Sequence, residues 1–309
     1  MRLAFLGSDA FAVPSLEAAV RAGHEVVLVV TNPDRPKGRS GAPQPTPVKA
    51  AALRLGLPVH QPEGKLGADA AERIRAAGAE LGVVVAFGQF LGRRVREAPA
   101  LGYSINVHAS LLPRWRGAAP DFAAILAGDR ETGVSIQRVD AALDAGDVLI
   151  SQATPIGEDE PRGALRERLG LLGADLLARA LDLIARGEAA FTPQDPAGVT
   201  HQGIVKKEDG RLDLARPADE LARRVRACDP WPTGALELPD GPLQVLRARA
   251  VEGQGPPGAV LDPGQGDGAL VVATGQGALA LVEVKPAGKR AMAGAAWARG
   301  RRLRAGDRL

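Results

Sequence analysis

RLAFLGSDAFAVPSLEAAVRAGHEVVLVVT, residues 2–31, decides the fold class. RLAFLG (2–7) is a short apolar run that ends in a glycine turn. FAVPSLEAAVRA (11–22) carries apolar residues at helical spacing, with Pro14 near the start, where a helix tolerates it. GHEVVLVVT (23–31) is almost continuous Val and Leu, the pattern of a strand covered on both faces. The alternation then repeats. VKAAALRLG (48–56) reads as helix, LPVHQP (57–62) as a short strand, ERIRAAG (72–78) as helix and LGVVVAF (81–87) as a buried strand. Strand and helix in turn predict an α/β, Rossmann-like, doubly wound parallel sheet. Such sheets hold their ligands beyond the carboxyl ends of the strands.

The pattern continues with LGYSINVHASLLP (101–113), a strand that leaves the sheet at Ser110–Pro113. A helix follows from about Ala118 to Ala127, then an alternating strand, GVSIQRV (133–139). DAALDAGD (140–147) is a loop that returns to the strand VLISQATPI, and a long helix runs from about Pro161 to Arg186 and ends at Gly187. Residues 188–205 lose both periodicities and contain Pro, Gly and Gln, as an interdomain linker would. Beyond them a helical piece, ADELARRVRACDP, precedes the short β-like runs GALELPDG, PLQVLRARAV, GAVLDPG, GALVVATGQG and ALALVEVKP. Short strands with Gly and Pro turns predict a small OB-like β-barrel. The expected division is a catalytic domain at 1–187, a linker at 188–205 and the barrel domain at 206–309.

The 309 residues, 45% hydrophobic and 24% charged, suffice for two cores. One cysteine, Cys228, rules out an internal disulfide and a zinc site built on several cysteines. The histidines at 24, 60, 108 and 201 are scattered, so no metal is implied. The N-terminus lacks a long apolar core, and no run approaches the roughly 18 apolar residues of a membrane span. The expected compartment is the cytoplasm, and nothing calls for more than a monomer. Charge is uneven: residues 1–205 hold 22 Lys/Arg and 23 Asp/Glu, whereas 206–309 hold 17 and 13, a net of +4. A basic C-terminal third suits a polyanionic partner, or simply a soluble basic domain.

The first strand-to-helix turn, GSDAFAVP (7–14), has one glycine where a dinucleotide fingerprint needs three, which disfavours NAD. TNPDRPKGRSGAPQPTPVK (31–49) is long for a connection in a compact α/β unit. It sets the cations Arg35, Lys37, Arg39 and Lys49 against the single acid Asp34. It is either a solvated surface loop or a loop that grips phosphates. In AFGQFLGRRVREAP (86–99), Phe87 and Phe90 could wall an apolar cleft, and Phe90 is expected in the core of the following helix.

Within SINVH (104–108), Asn106 and His108 are two residues apart, so on a strand they share a face. Asp144 follows in the loop after the next strand, where it can orient the imidazole. Ser110 raises the possibility of a Ser–His–Asp hydrolase, but it sits on the strand of its own base and lacks a glycine-flanked elbow. The better reading is attack of an amine on an activated carbonyl. Asn106 and His108 would stabilise the oxyanion, and Asp144 would orient His108 or accept the amine proton.

NVHASLLP (106–113) with Gly117, followed by DAALDAGD (140–147), resembles the signature of the folate-dependent formyltransferases. SLLPRWRGAAP, TNPDRPKGR, TPVK, AFGQFL, RACDPWP and KPAGKRAM extend the resemblance over essentially the whole chain. It is closest to members whose acceptor is the methionine of initiator tRNA. The resemblance implies 10-formyltetrahydrofolate as formyl donor and makes Asn106, His108 and Asp144 catalytic. It implies that Ser110, Leu111, Leu112 and Pro113 line the folate site, with Phe87, Gly88 and Leu91 near the pterin. It also implies that Arg35, Lys37 and Arg39 meet the acceptor end of the tRNA, and that Lys206 and Lys207 begin a barrel surface that tracks its phosphates. Three places depart from the family pattern: Phe87 replaces a usual Tyr, Ala145 replaces a Thr beside the catalytic Asp, and SDAF (8–11) replaces TPDF. A small amine acceptor, such as glycinamide ribonucleotide or an amino sugar nucleotide, is the alternative within the family. An RNA-binding protein that only senses folate is the alternative outside it.

Overall fold

The structure, a computed structural model, describes residues 1–36, 41–264 and 268–309. It forms two compact units: Met1–Pro120, Glu131–Pro155 and Arg166–Gly203 make the first, and Asp121–Arg130, Ile156–Leu165 and Ile204–Leu309 the second.

The first unit is built on a seven-stranded sheet. Its strands are β1 (Arg2–Gly7), β2 (Glu25–Val30), β3 (Val59–His60), β4 (Leu81–Val85), β5 (Ser104–His108), β6 (Glu131–Arg138) and β7 (Val148–Pro155). Their spatial order is β7-β6-β5-β4-β1-β2-β3. The pairs among β1 to β5 are parallel, as the strand–helix alternation predicts. β6 runs antiparallel to β5 and to β7, and residues 139–147 close the β6–β7 pair as a hairpin instead of a helical crossover. The order reverses between β1 and β4, which creates a crevice at their carboxyl ends.

The helices of this sheet are α1 (Val13–Arg21), α2 (Pro47–Arg54), α3 (Ala68–Ala76) and the short α4 (Arg93–Arg96). α2 begins as its sequence dictates. The Thr46 side chain caps it by accepting from the Lys49 N–H at 3.0 Å, and Pro47 takes the first turn. Leu3, Phe5, Val29, Leu81 and Ile105 are fully buried, each contributing about 1.5–3 kcal/mol by leaving water. Phe90 departs from expectation. The helix starts only after Gly92, so Phe90 has no helical face to bury and remains 65% exposed.

Two further helices are α5 (Pro120–Ala127) and the 24-residue α6 (Arg162–Ala185). Gly173 of α6 lies against β5: a Cβ there would stand 2.9 Å from Val107 Cγ1. Through Gly203, the residues expected as linker stay with the first unit. Thr192 bridges Val148, and His201–Gln202 pairs in parallel with Arg116–Gly117.

The second unit carries α7 (Ala218–Ala227), then β8 (Gly234–Leu238), β9 (Gly241–Val251), β10 (Val260–Asp262), β11 (Leu270–Ala273), β12 (Ala278–Pro286), β13 (Met292–Ala293) and α8 (Gly294–Gly300). All the strand pairs are antiparallel, in the order β8-β9-β12-β11-β10 with β13 beside β12. Register shifts on either side of Arg247 increase the twist and curl the sheet. Leu221 and Val225 of α7 and Trp297 of α8 close it over a core of Leu243, Val245, Leu279 and Leu281.

Candidate active site

β5 lies between β4 and β6, and its register sets the site. Asn106 pairs with Val84 on one side and Gln137 on the other, and His108 pairs with Ser135. Asn106 and His108 share a face, as their spacing requires. The 139–147 hairpin loop brings Asp144 over that face. Asn106 Nδ2 donates to Asp144 Oδ1 at 3.4 Å. His108 Nδ1 stands 3.6 Å from Asp144 Oδ2, with both side chains largely buried. The three residues singled out in the sequence are therefore one cluster.

The imidazole is held from its other edge as well: Nε2 is 3.0 Å from the carbonyl oxygen of Trp115. A carbonyl only accepts, so Nε2 is the donor and carries a proton. Trp115 is fixed in turn by its own N–H, which donates to Thr200 Oγ1 at 2.8 Å. Ser110 is fully buried and donates to the carbonyl of Arg114 at 2.6 Å. Both groups of a Ser–His pair thus have other partners, and the hydrolase geometry is not built.

Asp144 itself adopts φ +51°, a left-handed backbone that Asp tolerates better than most residues. Its carboxylate accepts from the Gly117 N–H at 2.8 Å through Oδ2 and from Gln137 Nε2 at 2.9 Å through Oδ1. Gly117 (φ +115°) can approach because it lacks a side chain: a Cβ there would collide with the carbonyl oxygen of Gln202. The loop is also gripped through Arg138. Its guanidinium lies 4.8 Å from the Tyr103 ring centroid and 4.1 Å from that of Phe191.

Sequence reasoning missed Gln137, Gln194, the Trp115 carbonyl and Thr200. Gln137 carried no signal, because in an alternating strand it reads with Ser135 as the polar face. Gln194 and Thr200 carried none, because they lie in the segment expected as linker.

The residues implied for folate divide into two groups. Leu111, Leu112 and Pro113 are half-buried on the turn after β5, and Gly88 is exposed beyond β4. Phe87 and Leu91 are buried in the core with Leu6 and Val95. Phe90 and Leu143, each 65% exposed, are bare apolar side chains on the loops after β4 and β6.

Ser8, Asn32, Arg35, Thr46, Lys65 and Gly88 are among the residues that line a cavity of about 680 Å³. Lys49 donates to Asp34 at 2.7 Å and to Gln61 Oε1 at 2.7 Å. The Lys49 and Gln61 bonds hold the Asp34 carboxyl below the usual carboxylate range. Arg35 is exposed, in a two-residue strand paired with Pro43–Gln44. Lys37 and Arg39 lie outside the described residues. Lys206 and Lys207 are exposed in the second unit, where the Lys206 N–H donates to Asp209 at 2.7 Å. Among the described residues no group of three or more His, Cys, Asp or Glu is placed to hold a metal ion. No helix among them is long and apolar enough to cross a membrane.

The chain matches two family models, the formyl transferase domain over residues 1–181 and the formyl transferase C-terminal domain over residues 204–302. It is 48% identical to the methionyl-tRNA formyltransferase of Methylobacterium sp. (strain 4-46), covering 100% of this chain and 99% of the relative. It is also 48% identical to that of Halorhodospira halophila, covering 99% and 98%. Among solved structures it is similar to an N-formyltransferase from Helicobacter canadensis in complex with folinic acid and dTDP-3-aminofucose. That match has TM-score 0.67 and 14% identity, covering 90% and 98%. HypX from Aquifex aeolicus in complex with tetrahydrofolic acid matches with TM-score 0.62 at 19% identity, where 96% of this chain spans 46% of that one. These two structures share the fold, and the sequence relatives share much more. The chain belongs to the formyl transferase family, among the methionyl-tRNA formyltransferases.

Proposed function

We propose that this chain transfers the formyl group of 10-formyltetrahydrofolate to the α-amino group of methionine esterified to initiator tRNA, a step that serves the initiation of translation. The observation that carries the reading is the convergence of Asn106, His108 and Asp144 at the carboxyl end of β5. One chain supplies all three, so a monomer suffices, and the cytoplasm is its place of work.

The amine nitrogen attacks the formyl carbon, and the carbonyl electron pair moves onto oxygen. Asn106 Nδ2 and a proton on His108 Nδ1 are the donors for that oxyanion, each of the kind worth about 3–4 kcal/mol when well aimed. The intermediate collapses by breaking the bond between the formyl carbon and N10, which leaves tetrahydrofolate. The proton lost by the amine ends on N10, and Asp144 Oδ2, beside His108, is the group that carries it. Asp144 also orients the imidazole, whose Nε2 is committed to Trp115. Holding amine and formyl carbon in contact supplies a further contribution, about 7–11 kcal/mol in favourable cases.

Leu111, Leu112, Pro113 and Gly88 form the surface for the folate, over a floor that contains Phe87 and Leu91, with the Ser110 hydroxyl closing the turn beneath. Exposed Phe90 and Leu143 suit the flat face of a pterin. Arg35, Lys37 and Arg39 meet the acceptor end of the tRNA, and Lys206 and Lys207 meet its phosphates. The test is to supply 10-formyltetrahydrofolate with methionyl initiator tRNA, glycinamide ribonucleotide or an amino sugar nucleotide. Formylation of the tRNA alone is expected, and transfer only to a small amine overturns the reading.

A further inference from the structure

We propose that Arg116, Gln194 and Gln137 form a directed hydrogen-bond relay, a guanidinium and two amides, that positions Asp144 for the reaction, an inference that rests on the catalytic reading of Asp144. Gln194 Oε1 accepts from Arg116 Nε at 3.0 Å and Nη2 at 2.8 Å. Its Nε2 faces three oxygens: the Gly146 carbonyl at 2.7 Å, the Asp144 carbonyl at 2.9 Å and Gln137 Oε1 at 3.2 Å. Gln137, only 1% exposed, then donates through Nε2 to Asp144 Oδ1 at 2.9 Å.

The polarity of this chain has no freedom. A guanidinium only donates, and backbone carbonyls only accept. Gln194 therefore has to present its oxygen to Arg116 and its amine to the loop. Gln137 then has to present its oxygen to Gln194 and its amine to Asp144. A charge at one end thus fixes which hydrogen-bonding face the carboxylate meets at the other. Gln194 ties the loop at two carbonyls and the carboxylate through Gln137, so backbone and side chain of Asp144 are set by the same amide. All three act through Asp144, Gln137 from opposite Asn106 in the register and onto the same Oδ1 atom, which makes them positioning residues.

A role in packing alone and a role in polarity differ in what an isosteric change does. Gln194→Glu keeps the shape and the bond to Arg116 but puts a second oxygen against three acceptors. That favours an inverted Gln137 amide, oxygen toward oxygen at Asp144. Gln137→Met keeps the volume and removes the donor. The measurement is steady-state formyl transfer with each variant at a temperature where circular dichroism shows it folded, with Gln194→Ala and Asp144→Asn alongside. Loss of one hydrogen bond to a charged acceptor corresponds to about 10- to 100-fold in kcat. That loss is expected for Gln194→Glu and Gln137→Met, with KM for both substrates within about two-fold of the parent and Gln194→Ala less impaired than Gln194→Glu. Parent-like kcat in Gln137→Met, or Gln194→Glu as active as Gln194→Ala, overturns the relay. If Asp144→Asn is inactive while those variants turn over normally, the relay alone fails. If Asp144→Asn retains turnover, the catalytic reading beneath it fails.

Discussion

His108 Nδ1 and Asp144 Oδ2 face each other at 3.6 Å, while the opposite nitrogen of the ring is spent on the carbonyl of Trp115 at 3.0 Å. The imidazole therefore has one atom to offer to a reaction, and the carboxylate stands beside that atom. His108→Ala and Asp144→Ala are each expected to lower kcat by at least about 100-fold, as loss of a positioned proton-handling group does. Folate binding by calorimetry should change little, because neither side chain belongs to the folate surface. Turnover near that of the parent in either variant would sink the mechanism.

Gly117 joins the backbone to this pair. Its N–H holds Asp144 Oδ2 at 2.8 Å, and its φ of +115° disfavours any residue with a Cβ. Gly117→Ala is expected to destabilise the fold by about 1–3 kcal/mol, the usual cost of such backbone strain, through the clash with the Gln202 carbonyl. It should also lower kcat at temperatures where the protein is folded. Denaturant unfolding and steady-state assays read the two effects separately.

The acceptor side makes an electrostatic prediction. Lys206 and Lys207 are exposed, and the C-terminal third carries the basic excess. Lys206→Ala and Arg39→Ala are expected to raise KM for methionyl initiator tRNA by roughly three- to ten-fold, leaving KM for the folate in place. The affinity for tRNA should fall steeply with salt, and each substitution should lower the slope by about one unit. A KM for tRNA that ignores ionic strength would remove the phosphate contacts.

Cys228 gives a prediction about pH. Burial at the end of α7 pushes its thiol up to about 11 from an ordinary 9.0. The native thiol should therefore resist iodoacetamide at pH 8, and unfolding in urea should expose it to rapid alkylation. The folded state binds this proton more tightly than the unfolded state does. Its contribution is fully present below pH 9 and is lost as pH rises toward 11. Prompt alkylation of the folded protein at pH 8 would contradict that burial.

The apolar runs at 2–7, 25–30 and 81–85 made the parallel sheet legible, because strands covered on both faces need continuous Val, Leu and Ile. The spacing of Asn106 and His108 likewise needed only the two-residue period of a strand. The direction of β6 and β7 was not legible, since a run of eight residues reads alike in either direction. Phe90 was misplaced because helical spacing was extended across Gly92, where the helix had not begun.

The sequence by itself determined which side chains could do the chemistry: a donor, a ring and a carboxylate at the end of a buried strand, with a family signature around them. Only the tertiary structure decided how they are held. The partners of Asp144 come from residues 106, 117 and 137, and the amide that ties its loop comes from residue 194. Local periodicity cannot bring together groups that far apart in the chain. A buried carboxylate must nevertheless find donors for its lone pairs, and the fold supplies them.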